Sequence, residues 1–385
     1  MFVPITNTPR GYAWGSTTAI AELLGRQPTG QPEAELWLGA HPGSPAEVVG
    51  KERSLLDVVD GRLPFLMKVL AAASPLSLQA HPTPAQAAEG FARENAAGVP
   101  LDAPERNYKD AFHKPEIIYA LSDPFRALSG FRPVAETRAV LAPVADDPRI
   151  APLLDRLTDD GALRDVFSWL IGRGEGVVDL VDAVVEASAI ADGPSWQTVR
   201  TLADHYPGDP GIAISLLLHT VELRPGEVLY LPAGNIHAYL EGLGIELMAA
   251  SDNVLRGGLT PKHVDVPELL RVLDFRPLPA PYLHPHEPEP GVHVFRPNVP
   301  DFALTVIEPD AAARGVEVRL EGPAIALCTD GDVALEGGPR LARGGAVYVE
   351  GETWLGVRGS GTVFVASAGE SGERAPHDGS ARQSG

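Results

Sequence analysis

The sequence has a single cysteine, Cys328, so it cannot build a disulfide framework. A reducing compartment is expected, with the thiol in the apolar run Ala-Ile-Ala-Leu-Cys328 acting as a small buried hydrophobe. No apolar stretch approaches the roughly 20 residues that a membrane-crossing helix needs. The N-terminal Met-Phe-Val-Pro-Ile-Thr lacks a basic segment followed by an apolar core, so no secretory leader is expected and a cytoplasmic location follows. Positive charge is scarce as well. Lys and Arg number 31 against 51 Asp and Glu, a net charge of −20. That field disfavours nucleic acid and anionic membrane surfaces, and any anionic ligand must be held by local cations.

Turn-forming residues are plentiful. The 37 prolines and 40 glycines suit short strands and turns interrupted by helices. With 44% apolar and 21% charged residues in a chain of 385, the balance is that of an ordinary globular protein of two or three domains.

Residues 63–70, 77–82 and 113–121 read as strands, the second stopped by Pro82. Between them, residues 84–95 read as a helix with Thr83 as N-cap and Pro84 in its first turn. Helical spacing dominates residues 133–205, at 134–141, 150–157, 176–191 and 195–205. Strand texture returns at 213–223 and around 246–250, and 261–273 reads as a helix. Residues 277–290 read as a linker and 292–366 as strand and turn. Residues 368–385 are polar, glycine-rich and expected to be disordered.

The predicted class is mainly β with a helical insertion, α+β overall. Residues 1–132 and 206–280 would form one β-unit, 133–205 the insertion and 281–367 a second β-barrel. The texture of Leu223-Arg-Pro-Gly226-Glu-Val-Leu-Tyr230 recurs at Leu341-Ala-Arg-Gly344-Gly-Ala-Val-Tyr348. Aligned on the glycines, the position matching His237 is Leu355, so the second barrel lacks that metal-binding histidine.

The most informative motif is Gly226-x5-Pro232-x-Gly234-x2-His237, a strand-turn-strand of cupin type. Alternation and the Pro-Gly turn deliver His237 to the inner wall of a small barrel, where a neutral imidazole can bind a metal. Gln79 and His81 are two apart on a strand and share a face. Glu116 follows the Lys114-Pro115 step, which holds Lys114 extended. Two nitrogens, one carboxylate and one amide oxygen suit a divalent ion, zinc first, with room for water or substrate.

The text around these residues resembles type I mannose-6-phosphate isomerases of the cupin superfamily. The resemblance lies in Pro75-Leu-Ser77-Leu-Gln79-Ala-His81-Pro82, His113-Lys-Pro-Glu116, and Tyr230-Leu-Pro-Ala-Gly-Asn-Ile-His237-Ala-Tyr239. It continues through Glu246-Leu-Met-Ala-Ala-Ser-Asp252-Asn-Val-Leu-Arg256-Gly-Gly-Leu-Thr-Pro-Lys262. Tyr12-Ala-Trp14-Gly15 and Glu35-Leu-Trp37-Leu-Gly39-Ala-His41-Pro42 are similar to the family's early motifs. The match runs from residue 1 to about 275 and more loosely beyond. It departs from the family at Ala233-Gly-Asn-Ile, where Asn-Glu-Pro is common, and at Ser129, where cysteine is frequent.

The resemblance implies two cupin-like jelly-roll barrels and one Zn2+ per chain on Gln79, His81, Glu116 and His237. It implies a monomer acting on a hexose 6-phosphate, with interconversion of mannose and fructose 6-phosphates through a cis-enediol(ate). Such a reaction needs a base near C1 and C2, an electrophile on the oxygens and a phosphate anchor. Glu246 is the expected base, weighed against a role as salt-bridge partner of Arg256. Arg256, Lys114, Asp252 and His41 complete the expected catalytic set. Ser77, Lys68, Lys262 and Tyr239 are expected at the substrate and its phosphate. A cupin oxygenase would carry a ligand set richer in histidine, and a non-catalytic sugar-phosphate binder would not need Glu246 and Arg256 beside four ligands.

Overall fold

The computed structural model describes residues 1–309 and 315–369. Of the tail expected to be disordered, residues 370–385 lie outside the described residues. The chain opens with β1 (Phe2–Thr6), α1 (Ala19–Leu23), β2 (Glu35–Leu38), β3 (Glu47–Val48), β4 (Phe65–Ala72) and β5 (Gln79–Ala80). After α2 (Pro84–Ala96) come β6 (Glu116–Ala120) and β7 (Phe125–Phe131). Five helices follow: α3 (Val134–Leu141), α4 (Ala151–Arg156), α5 (Leu163–Ile171), α6 (Val177–Ser188) and α7 (Pro194–His205). Next are α8 (Gly211–Ser215), β8 (Leu218–Leu223), β9 (Val228–Leu231), β10 (His237–Ala249), β11 (Leu255–Arg256) and α9 (Val266–Val272). The chain then returns to strands: β12 (Val292–Phe295), β13 (Ala303–Ile307), β14 (Val316–Arg319), β15 (Ala324–Leu335), β16 (Arg340–Ala342), β17 (Ala346–Val349) and β18 (Trp354–Ser367).

The helix expected at 84–95 is α2, and its start follows from local chemistry. Thr83 accepts from the Gln86 N–H, Gln86 reaches back to the Thr83 N–H, and Pro84 occupies the first turn. The strand expected over 213–223 begins only at Leu218. Its first part is α8, whose apolar residues are buried on all sides and so carry no period to separate helix from strand. The helix expected at 261–273 is confined to Val266–Val272, capped by Asp265 on the Glu268 N–H.

Strands β2 and β4–β11 form one sheet, and β1, β3 and β12–β18 form the other. Strand pairing therefore crosses the boundary read from the sequence. β1 pairs with β17 in the register Phe2↔Val349 to Ile5↔Ala346, and with β3. The sheets meet across a shared core that includes Ile5, Phe65, Met67, Ile245, Leu247, Phe295, Tyr348 and Phe364. Tyr119 of β6 lies edge-on to Phe364 and Phe295, at centroid distances of 5.0 and 5.7 Å. A second core packs the helices against another stretch of the same outer face of the first sheet, through Leu128, Ala238 and Leu240, while Leu70, Ile118, Ala127 and Tyr239 fill its inner face.

β10 is the spine of the first sheet, pairing with β4, β5, β6 and β7. Its register against β7 slips between Tyr239 and Glu241, a β-bulge. Before the slip Ala238 and Leu240 face the helical core; after it Ile245, Leu247 and Ala249 face the core between the sheets. The outward face thus moves from even to odd positions, and His237 and Glu246, nine residues apart, both point inward. At the other end of the turn Gly234 has φ +80°, and its N–H donates to the His81 carbonyl at 2.9 Å.

Candidate metal centre

Two rows of register partners converge on β10. One runs Arg256, Gln79, His237, Ser129 across β11, β5, β10 and β7. The other runs Trp37, Lys68, Glu246, Ile118 across β2, β4, β10 and β6. Residues directly opposite on antiparallel strands share a face, so pairing alone assembles most of the site.

His81, Glu116 and His237 are fully buried, with one donor atom from each lying within 4.8 Å of the others. Both imidazole Nε2 atoms sit 3.4 Å from a Glu116 oxygen. His81 Nδ1 lies 2.8 Å from the Asn253 carbonyl and His237 Nδ1 lies 3.1 Å from the Asn235 carbonyl. Each ring thereby keeps its proton on Nδ1 and turns the Nε2 lone pair into the cluster. Among the described residues, His81 Nε2, His237 Nε2 and Glu116 Oε2 have no hydrogen-bond partner. Unpartnered acceptors converging in a buried place fit a divalent cation. Gln79 stands directly across from His237, where its amide oxygen would make a fourth donor.

Charge follows the same logic. Burial lowers the His81 pKa to about 4, against the Glu116 carboxylate that favours its proton. Burial would raise Glu116, but Lys114, with Nζ 2.8 Å away, and His81 outweigh it and hold the carboxyl well below its usual range. The centre therefore offers a neutral His81 imidazole and an ionised Glu116 carboxylate.

Beside it lies a buried carboxylate-ammonium-carboxylate group. Lys68 Nζ is 2.7 Å from Glu246 and 3.5 Å from Glu35, and Trp37 Nε1 donates to Glu35 at 2.9 Å. The ammonium expected at the phosphate thus faces two carboxylates, and the partner of Glu246 is Lys68 rather than Arg256. Burial opposes the charge on Lys68, but Glu246 and Glu35 outweigh it and raise its pKa. For Glu246 burial prevails over Lys68 and, with Glu116 and Glu35, raises its pKa. His41 accepts the Gly43 N–H on Nδ1 and faces Asp252 with Nε2 at 3.3 Å. The Tyr239 hydroxyl is buried, and its pKa is raised by burial and by nearby Glu246. Arg256 is half-buried and, among the described residues, makes no hydrogen bond or ion pair; burial lowers its pKa. Ser77 is half-buried and Lys262 is exposed.

Sequence reasoning did not assign roles to Glu35 and Trp37, although both stand in the motif that supplied His41. Their alternation on β2 was the available signal. Asp110, Asn235 and Asn253 act through backbone contacts that no local pattern announces.

An α+β fold with a buried two-histidine, one-carboxylate centre on a barrel wall defines a metal-binding protein of cupin-like class. The sequence profile of the phosphomannose isomerase type I catalytic domain matches residues 2–134. Mannose-6-phosphate isomerase of Escherichia coli K12 is 42% identical over 353 residues, spanning 86% of this chain and 89% of that protein. The Rattus norvegicus enzyme is 33% identical, spanning 90% and 92%. A zinc-bound crystal structure of a mannose 6-phosphate isomerase superposes with a TM-score of 0.88 at 37% identity, covering 96% of this chain and 100% of that one. The chain belongs to the type I mannose-6-phosphate isomerase family, and it is an isomerase. Among the described residues no helix is long and apolar enough to cross a membrane.

Proposed function

We propose that this chain interconverts mannose 6-phosphate and fructose 6-phosphate with one zinc held by Gln79, His81, Glu116 and His237. The observation that carries this reading is the set of three buried, unpartnered donor atoms on His81, Glu116 and His237. The zinc-bound relative supplies the choice of ion. When bound, zinc supplies Lewis-acid stabilisation to the oxygens on C1 and C2.

The protein side chains do the rest. Glu246 takes the proton from C2 of the open-chain aldose and returns it to C1. Between the two transfers, O1 gains a proton and O2 loses one, through a cis-enediol(ate). Glu246 suits this task because burial raises its pKa toward the operating range, and Lys68 at 2.7 Å holds the carboxylate in place. Lys114 and Asp252 flank the oxygens for proton exchange, and His41, tied to Asp252, assists ring opening. Arg256, Ser77, Lys262 and Tyr239 receive the substrate and its phosphate. Arg256 has a guanidinium free for a two-pronged contact with an anion. The same reading makes the protein a cytoplasmic monomer whose partner is the hexose 6-phosphate.

The decisive assay follows interconversion of the two esters with chelator treatment, zinc add-back and coupled metal analysis. Activity should vanish on stripping and return with zinc. Glu246→Gln should retain zinc and fold while kcat falls by about 10²–10⁴-fold. Unchanged turnover in that variant removes Glu246 from the base role, and full activity in the stripped protein removes the metal from the reaction.

A further inference from the structure

The loop of residues 109–112 contributes no donor to the metal cluster, yet it grips the segment that aims two site side chains. Asn253, between β10 and β11, is fully buried. Its backbone carbonyl is the acceptor for His81 Nδ1 at 2.8 Å. Its side chain is spent on the loop. Oδ1 accepts the N–H groups of Lys109 at 2.7 Å and Asp110 at 3.3 Å. Nδ2 donates to the carbonyls of Asp110 at 2.9 Å and Phe112 at 2.8 Å, and to Asp110 Oδ1 at 3.3 Å.

Asp110 closes the other half. Its Oδ1 accepts the Ser251 hydroxyl at 2.9 Å, and its Oδ2 accepts the Asp252 N–H at 3.0 Å. The Ser251 hydroxyl also lies 3.1 Å from the Phe112 carbonyl. Three consecutive residues, 251–253, are thus tied to one loop. They have two outputs toward the site: the Asn253 carbonyl sets the tautomer and tilt of His81, and the Asp252 carboxylate meets His41 at 3.3 Å.

We propose that Asp110 and Asn253 form a positioning clamp that sets the donor direction of His81 and the reach of Asp252 toward His41 together. A bond that merely stapled two surface loops would have no particular terminus. Here the bonds between loop and segment converge on three consecutive residues, two of which, Asp252 and Asn253, contact site side chains next. An imidazole ligand is oriented by the acceptor on its other nitrogen, so moving the Asn253 carbonyl turns Nε2 away from the cluster. The inference rests on the zinc reading given above.

Asp110→Ala removes both acceptor oxygens. Zinc affinity, measured by chelator competition, should fall roughly 10- to 100-fold, and the visible bands of the cobalt-substituted protein should shift with the altered ligand field. Asp110→Asn should recover only part of the affinity: its oxygen still accepts the Asp252 N–H and its amide can donate to Ser251 Oγ, but that amide now meets the Phe112 N–H and the Asn253 amide that Oδ1 had accepted. Asp252→Asn should keep wild-type zinc affinity, because the Asn253 carbonyl is untouched. Wild-type zinc affinity and cobalt spectrum in Asp110→Ala overturn the clamp, whatever happens to thermal stability. Should Asp110→Ala fail to fold, Ser251→Ala removes only the hydroxyl contacts: weakened zinc binding there supports the clamp and unaltered binding overturns it. Wild-type protein and His81→Ala separate the two layers. If the wild type holds no zinc, or His81→Ala holds it equally well, the zinc reading falls and takes the clamp with it.

Discussion

Burial drives the His81 pKa down to about 4, from an ordinary value of 6.5, because a charged ring would sit without water beside Lys114 and His237. The folded chain therefore prefers the neutral ring more strongly than the unfolded chain does. The sign follows: stability from this preference is complete above about pH 6.5 and is lost as pH falls from there toward about 4. Glu116 acts in the same direction, but only below its ordinary value of 4.5. Zinc-free protein should unfold at lower denaturant at pH 5 than at pH 7, and the difference should shrink in His81→Gln. A pH-independent midpoint over that range would contradict the buried neutral ring. At this scale the sequence was legible. Strand spacing and the residues after Pro115 and Gly234 picked out the same histidines and carboxylate that the fold assembles. The clamp residues were not legible, since their partners stand some 140 positions away in the chain.

Elements record where local rules were overruled. Gly90 lies inside α2, where alanine would ordinarily gain about 1 kcal/mol. An added Cβ would meet the Tyr108 ring at 2.3 Å, and that ring is fully buried with its hydroxyl on Glu268. Gly90→Ala should therefore destabilise, by about 1–3 kcal/mol, read as a lower denaturation midpoint at unchanged slope. A stabilised variant would show that the Tyr108 contact is slack. Alternation along β10 would have set Glu246 on the face opposite His237, because nine is an odd step. The bulge after Tyr239 reverses this, and one inserted residue in a ladder leaves no signature in side-chain pattern. α5 did have a signature. Leu163, Val166, Phe167 and Leu170 recur at helical spacing and all are buried.

Taken whole, the molecule depends on both sheets. Val3 and Ile5 of β1, Phe65, Met67 and Val69 of β4, and Phe295, Leu304 and Phe364 of the distal strands share one core. His113 and Asp301 add a link at 2.7 Å beside the strand that carries Glu116. A chain ending at residue 285 would strip that core of Phe295, Phe302, Leu304, Tyr348 and Phe364, and leave β1 without its β17 partner. It should be recovered as aggregate rather than as an active fragment, measured by solubility and size-exclusion chromatography. A soluble, active fragment would show that the first sheet stands alone. The sequence suggested two β-units but not that β1 belongs with the later strands, because a five-residue strand carries no mark of its partner. That attachment has a temporal side. Phe2 faces Val349, so the intervening stretch must leave the ribosome before the first strand finds its place. At about 5–20 residues per second this takes roughly 17–70 s. For that interval Phe2, Val3 and Pro4 wait for their opposite residues, and only the Ile5–Thr6 end of the strand has a partner, in β3.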